Sequence, residues 1–288
     1  IVAGNMKMTE RNYTNWFPFL SATVKPSANH NYSLSYSRRI DRPAYQNLNP
    51  FIYLLDELSF WQGNPFLAPQ LSHRLLLQYV YKSSTIIGLS YTYTDKFSVE
   101  VTDKVDDSKI VMTPRNLGVQ KHLALTLTQT LSPAKWWNIT FNGVFFGLNN
   151  DIDFGGGREL DLQQFAGRIN LQQSFKLPYR FNAEVVGIYN SRKLAGANQF
   201  HRATGQIDLG LQRNLMNDKA TIRLIFADIY KGIQGNSVQS VGDLYIRNFS
   251  YFETRQVRLN FSYRFSSGNS KGPRTRSSAL ENEQGRIK

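Results

Sequence analysis

The sequence predicts an all-β chain, and three of its features narrow that to a transmembrane antiparallel up-and-down β-barrel. First, apolar and polar residues alternate in segment after segment, the period-2 signature of strands that are wet on one face only. In "VRLNFSYRF" (257–265), Val257, Leu259, Phe261, Tyr263 and Phe265 fall on one side, and Arg258, Asn260, Ser262 and Arg264 on the other. Second, many of these segments are long. Soluble sheets use strands of roughly five or six residues, whereas about 9–11 tilted residues cross a bilayer. Third, tight turns and long connections alternate without exception. That is the pattern of a bacterial outer-membrane barrel, with short turns at the periplasm and long loops outside.

Taken in order, the first segment, 13–25, carries Trp16, Phe17 and Phe19 and descends to the turn "KPSANH" (25–30). The second, 31–40, sets Tyr32, Leu34 and Tyr36 against Ser33 and Ser35. A long connection, 41–69, leads to 70–82, which is apolar on both faces in places. After "KSS" (82–84) comes 85–102, where Ile87, Leu89, Tyr91 and Tyr93 oppose Ser90 and Thr92. The long connection 103–116 precedes 117–131, with Leu123, Leu125 and Leu127 against Ala124, Thr126 and Thr128. "SPAK" (132–135) joins it to 136–147, and 148–161 is the next long loop. Segments 162–176 and 180–191 flank "LPY" (177–179). The connection 192–200 leads to 201–215, where Ile207, Leu209 and Leu211 oppose Gln206, Asp208 and Gln212. "MNDK" (216–219) precedes 220–230, and 231–253 leads to the last segment, 254–265.

That makes about eleven strands. Aromatics gather beside the tight turns as an interfacial girdle: Trp136, Trp137, Phe175, Tyr179, Phe181 and Phe265. Parity makes the first and last strands both descend. Residues 1–265 are then barrel, and 266–288, rich in Gly, Ser, Lys and Arg, are a disordered periplasmic tail. Eleven strands would leave two unpaired edges in lipid, so a fragment or processed product with further strands before Ile1 is expected. The last strand, ending in an aromatic, is where the barrel-insertion machinery would engage.

Composition excludes several functions. There is no cysteine, so disulfides, thiolate metal sites and cysteine nucleophiles are out. No apolar run is long enough for a transmembrane helix. Aromatic residues make up 13% of the chain, with 15 Tyr and 19 Phe, which favours strands and lipid interfaces. The net charge of +13 is spread along strands and loops, with no basic helix or nucleic-acid module, so nucleic acid is not the expected partner. An anionic ligand or an anionic lipid surface accounts for it as well.

The block "YSRRIDRPAYQNLNPF" (36–51), followed by "GNPFLAPQ" (63–70), resembles the C-terminal barrel of TonB-dependent-receptor-like outer-membrane proteins of the type abundant in Bacteroidetes. The tail "SSALENEQGRI" (277–287) is similar to the polar ending these proteins carry, and Gln70 departs from an expected acidic residue. The resemblance implies a 22-strand barrel, of which this would be the C-terminal half, around an upstream plug that contacts TonB. It also implies an outer-membrane location in a Gram-negative cell, active uptake of a metal chelate, glycan or peptide, and no cofactor. A surface protein whose barrel merely anchors binding loops is the alternative.

The chemical candidates are basic. Arg38, Arg39 and Arg42 sit where a strand leaves the outer leaflet, available to an anionic ligand, to lipopolysaccharide phosphates or to Asp41 and Asp56. By parity, Arg168, Arg202, Arg258 and Arg264 point into the lumen and would attract anionic solutes. Pro43, Pro50, Pro65 and Gly63 would fix the path of the first long loop. Asp151 and Asp153 in "NNDIDFGGGRELD" (149–161) do not meet calcium-loop spacing, and His30, His73, His122 and His201 lack ligand spacing. No metal site and no hydrolase signature is expected, which leaves an enzyme embedded in the barrel without support.

Overall fold

The computed structural model describes residues 14–106, 108–153, 159–195, 199–241 and 244–265. Eleven strands lie side by side in chain order, each antiparallel to its neighbour. They are β1 (Phe19–Ser27), β2 (His30–Asp41), β3 (Gln70–Tyr81), β4 (Thr85–Lys104), β5 (Ile110–Ala134) and β6 (Trp137–Asp153). They continue with β7 (Glu159–Leu177), β8 (Phe181–Asn190), β9 (Thr204–Leu215), β10 (Ala220–Ala227) and β11 (Gln256–Tyr263). Every segment expected from alternation is present, and the meander has no crossover. The first strand starts at Phe19 rather than near residue 13, and the tail at 266–288 lies outside the described residues.

Two of the expected long loops are mostly strand. β4 runs to Lys104 and β5 begins at Ile110, so the connection placed at 103–116 shrinks to a tip at 105–109. Likewise β6 continues to Asp153 and β7 resumes at Glu159, within the stretch assigned to 148–161. The extensions are stable because they make a small core of their own: Val99, Val101 and Ile152 are buried, with Phe97 and Leu117 against them. Alternation failed as a guide at 110–116 because Pro114 sits inside the ladder, opposite Glu100, where a missing N–H is unexpected. At the tip, Asp106 Oδ1 accepts from the Ser108 and Lys109 amides at 2.9 and 2.8 Å, and the Ser108 bond leads in lowering its carboxyl pKa.

Register puts the apolar set on one face. Tyr32, Tyr79, Ile87, Leu127, Gly143 and Ile169 form a continuous cross-strand row, and Leu34, Leu77, Leu89, Leu125, Phe145 and Gly167 the next. These side chains have no second sheet to pack on: Leu34, Leu77, Leu89 and Leu125 are each more than 40% exposed. Such a surface on a long-stranded meander is a lipid face. Toward the loops the apolar rows give way to one of Arg38, His73, Tyr93, Lys121, Asn149 and Gln163.

Aromatic rings pack together at the tight-turn rim. Trp136, Trp137 and Phe175 stack with centroids 6.0–6.3 Å apart, Arg213 lies 4.9 Å over Phe181, and Phe265 packs edge-on against Tyr263 at 4.7 Å. Tyr179 occupies the turn itself with a left-handed φ of 58°. Alternation undercounted this rim, since His30, Tyr32, Tyr79 and Tyr81 form a second aromatic cluster at the first two tight turns.

Candidate functional site on the lumenal wall and its loops

The opposite face carries the charge. Arg39, Arg74, Arg168, Arg223 and Arg258 share it, by register, with Asp41, Glu184 and Asp208. Arg223 pairs with Glu184 across the intervening β9, and Gln172 donates to the same carboxylate. The bridge passes over Gly210, whose Cβ position lies 3.6 Å from Glu184 Oε2 and 3.9 Å from Arg223 Nη2, in ordinary contact. Asp208 accepts from Gln206 and from the Asp228 amide. Among the described residues, Arg39, Arg74, Arg168 and Arg258 have no carboxylate partner, so the wall presents unneutralised cations to the lumen.

The sequence-predicted arginines part company here. Arg38 and Arg39 lie on opposite faces: Arg39 faces the lumen with Ser72, whereas Arg38 pairs in register with His73 on the lipid face. Its guanidinium donates to the Trp16 carbonyl at 3.2 Å, and its Nε is buried without a partner. Arg42 lies beyond the end of β2 in the first loop. Arg168 and Arg258 lie, by register, on the face opposite the apolar rows. Arg202 does not, because β9 begins only at Thr204. It lies among the loop strands, its amide bonded to the Asn236 carbonyl at 2.9 Å. Arg264 follows β11 at the tight-turn rim. Alternation on β8 and β10 would have offered Glu184 and Arg223, but only register shows that they meet.

The loops are built, not slack. In the first, a short helix, α1 (Tyr45–Leu48), precedes a hairpin of Ile52–Leu54 and Ser59–Gln62 that pairs in parallel with the start of β5. Gly63 lies under backbone carbonyls, where a Cβ would come within 2.2 Å of the Asn49 oxygen. Asn64 donates to the Pro114 carbonyl at 3.1 Å, and Ala68 exchanges bonds with the Asn116 amide at 2.7 and 3.0 Å. Leu67 is 1% exposed, and Gln70, the residue that departs from the family pattern, accepts from the Ser98 amide at 3.1 Å. "GNPFLAPQ" therefore clips the loop onto the β4–β5 extension.

The last loop has its own buckle. Asp228, fully buried, accepts from the Gly232 amide at 3.0 Å and from the Thr254 hydroxyl. Glu253 binds Arg255 twice, at 3.0 and 3.1 Å, and Lys231 at 3.2 Å. Four loop strands, Lys193–Ala195, Gln199–His201, Gly235–Val241 and Leu244–Ser250, form a separate sheet beyond it. The hydrogen bonds from Arg255, and then Lys231, hold the Glu253 carboxyl down to about 2 from an ordinary 4.5. A depressed acid stabilises above its unfolded value and ceases to as pH falls through its folded one. The buckle should therefore be fully closed above about pH 4.5 and loosen as pH falls toward 2. Pepsin cleavage around Tyr251 and Phe252, followed from pH 5 downward in membranes, should rise in that window. Glu253→Gln should abolish the pH dependence.

Known proteins bear on this architecture. The pattern of the outer membrane protein beta-barrel family matches residues 3–263. The chain belongs to that family. No curated protein sequence matches it. Among solved structures, a ferric enterobactin receptor of Pseudomonas aeruginosa (PfeA), a point variant in complex with enterobactin, aligns with a TM-score of 0.57 and 14% identity. The alignment covers 86% of this chain and 40% of that one. A siderophore receptor of Acinetobacter baumannii (PiuA) aligns at 0.53 and 13%, covering 85% and 35%. At such identity the likeness is one of fold: this member of the barrel family has the strand arrangement of receptor barrels and spans about two fifths of their length or less. Its lipid-facing girdle and outer loops accordingly belong to the outer membrane.

Proposed function

We propose that the chain forms part of the wall of an outer-membrane receptor that imports an anionic nutrient ligand in a TonB-dependent manner. The observation that carries this reading is the excess of arginine over carboxylate on the lumenal face, with Arg39, Arg74, Arg168 and Arg258 uncompensated among the described residues. A basic, low-dielectric channel concentrates anions. The clipped loops would collect the ligand, and an upstream plug contacting TonB would supply the energised step. No catalytic role is assigned. The fold likeness to siderophore receptors makes a ferric chelate the first probe, ahead of acidic glycans and peptides. Assembly would go through the barrel-insertion machinery acting on β11.

Uptake of a negatively charged ferric chelate by cells carrying the full-length receptor tests this. Arg168→Glu with Arg258→Glu should lower uptake about tenfold at limiting ligand, and more at low salt. Loss of TonB should stop it. Uptake that ignores both changes would leave a barrel that only anchors its loops.

A further inference from the structure

The separate sheet of the loops ends in an open edge. Its strands run in the order Lys193–Ala195, Gln199–His201, Gly235–Val241 and Leu244–Ser250, and among the described residues nothing pairs with the outer side of the last. A strand of 7 residues is roughly 23 Å long and turns the N–H and C=O of about every second residue to that side. The sheet is tied down at its other end. The Leu194 amide donates to the Gln164 side chain, which in turn donates to the Arg192 carbonyl at 2.9 Å. Within the sheet Gln199 donates to Ser237 at 3.1 Å. One face of the edge strand carries Tyr245, Arg247 and Phe249 in alternation. The two rings are 63% and 55% exposed, and the guanidinium between them is exposed, with no ion pair among the described residues. Behind Arg247, in register, stand Val238, Phe200 and Leu194, with Arg192 4.2 Å over the Phe200 ring as a second cation.

We propose that this edge captures a free, extended acidic peptide by strand addition, with Asp or Glu opposite Arg247 and apolar residues opposite Tyr245 and Phe249. In such docking the main-chain bonds give affinity and the alternate side chains give the choice of sequence. Opposite charges and aromatic–apolar pairs directly across two strands are favourable, and like charges are not. The matching pattern, apolar–x–acidic–x–apolar, reads the same in both directions, so parallel and antiparallel addition both satisfy it. The same rule turns away a second copy of the chain. Two such edges joined antiparallel about their centres would set Arg247 against Arg247. Size turns away a stable protein partner. An edge roughly 23 Å long and about 10 Å deep offers on the order of 250 Å², against about 800 Å² per partner in a stable complex. The dock stands on the loop side and does not depend on what passes through the lumen.

Fluorescence anisotropy of labelled peptides with the full-length protein in detergent tests this. The peptide Thr-Val-Thr-Glu-Thr-Val-Thr should bind, and the same peptide with Lys at its centre should bind about fivefold or more weakly. N-methylation of one alternate set of its amides should abolish binding, and N-methylation of the other set should leave it intact, because only one side of an added strand meets the edge. Arg247→Glu should reverse the preference, so that the Lys peptide binds the tighter. Lys135→Glu, on an exposed tight turn, should leave both affinities unchanged. Equal affinity for the Glu and Lys peptides, or a preference that Arg247→Glu does not move, would overturn the site. Equal behaviour of the two N-methylated peptides would overturn strand addition. Failure of every peptide to bind would overturn the dock, and a dimeric protein in that case would give the edge to a second copy. A reversed preference cannot come from misfolding, so Arg247→Glu decides even where it lowers the folded yield. Binding rather than uptake is read, so the lumenal route can fail while the dock stands.

Discussion

Gly63→Ala should unclip the first long loop. A single methyl group at that position would sit 2.2 Å from the Asn49 carbonyl oxygen and 2.8 and 2.9 Å from those of Gln46 and Asn47. All three are backbone atoms, so no side-chain rotation relieves the clash; the α1 segment or the strand at 59–62 must move. Overpacking of this kind costs about 1–3 kcal/mol. The displacement would pull on everything that holds the loop: Asn64 to Pro114, Ala68 to both ends of the Asn116 amide, and the parallel pairing of 59–61 with 110–112. Protease added to intact cells should then cut within 42–69 in the variant and not in the parent. Phe66→Ala, at a ring 75% exposed, should leave the loop protected and serves as the control. If Gly63→Ala were as resistant as the parent, the close approach of the carbonyls would not be what fixes this loop.

The second large effect is expected at Asp228. Its carboxylate is completely buried and serves two donors, the Gly232 amide and the Thr254 hydroxyl, while its own amide bonds Asp208. Its φ of 48° lies in the left-handed region, which Asp and Asn tolerate better than Ala. Asp228→Ala removes both charge-assisted bonds, orphans two buried donors and adds backbone strain, together on the order of 3–5 kcal/mol. Asp228→Asn keeps an acceptor and the conformational preference, so it should cost about 1 kcal/mol. The expected reading is rapid hydrogen exchange across 228–234 and 251–255 in the Ala variant, with β9 and β10 unchanged. Uniform exchange in both variants would remove Asp228 as the keystone of the last loop.

Much of the wall was legible because lipid enforces alternation. Most of the eleven strands announced themselves by a period of two, whereas 70–82 and 220–230, apolar on both faces in places, did so only weakly. Parity fails where strands do not run. Arg202 was misplaced because β9 starts at Thr204, three residues later than the expected 201, and most of the apparent loop at 103–116 was strand because Pro114 and the charges around Asp106 disguise it. Arg38 and Arg39 look like one cluster in the sequence, yet a pleat sends one to lipid and the other to the lumen. The Arg223–Glu184 bridge and the Asp228 buckle depend on pairing between segments up to 39 residues apart, which composition does not encode. The "GNPFLAPQ" block was visible as a motif, but only the carbonyls over Gly63 explain its glycine.

In the eleven-strand wall, each strand is bonded to the one before it and the one after it in the chain. The wall is therefore close to a one-dimensional array of hairpins, each closed across a tight turn and joined to the next by one of the longer connections. Such an array can enter a membrane hairpin by hairpin. It also localises injury: a defect in the β5–β6 hairpin weakens its two flanking seams and leaves the rest of the ladder in place. Variants of the first and last loops should consequently behave as separable, additive lesions, so that combining Gly63→Ala with Asp228→Ala reports on two independent events in one molecule.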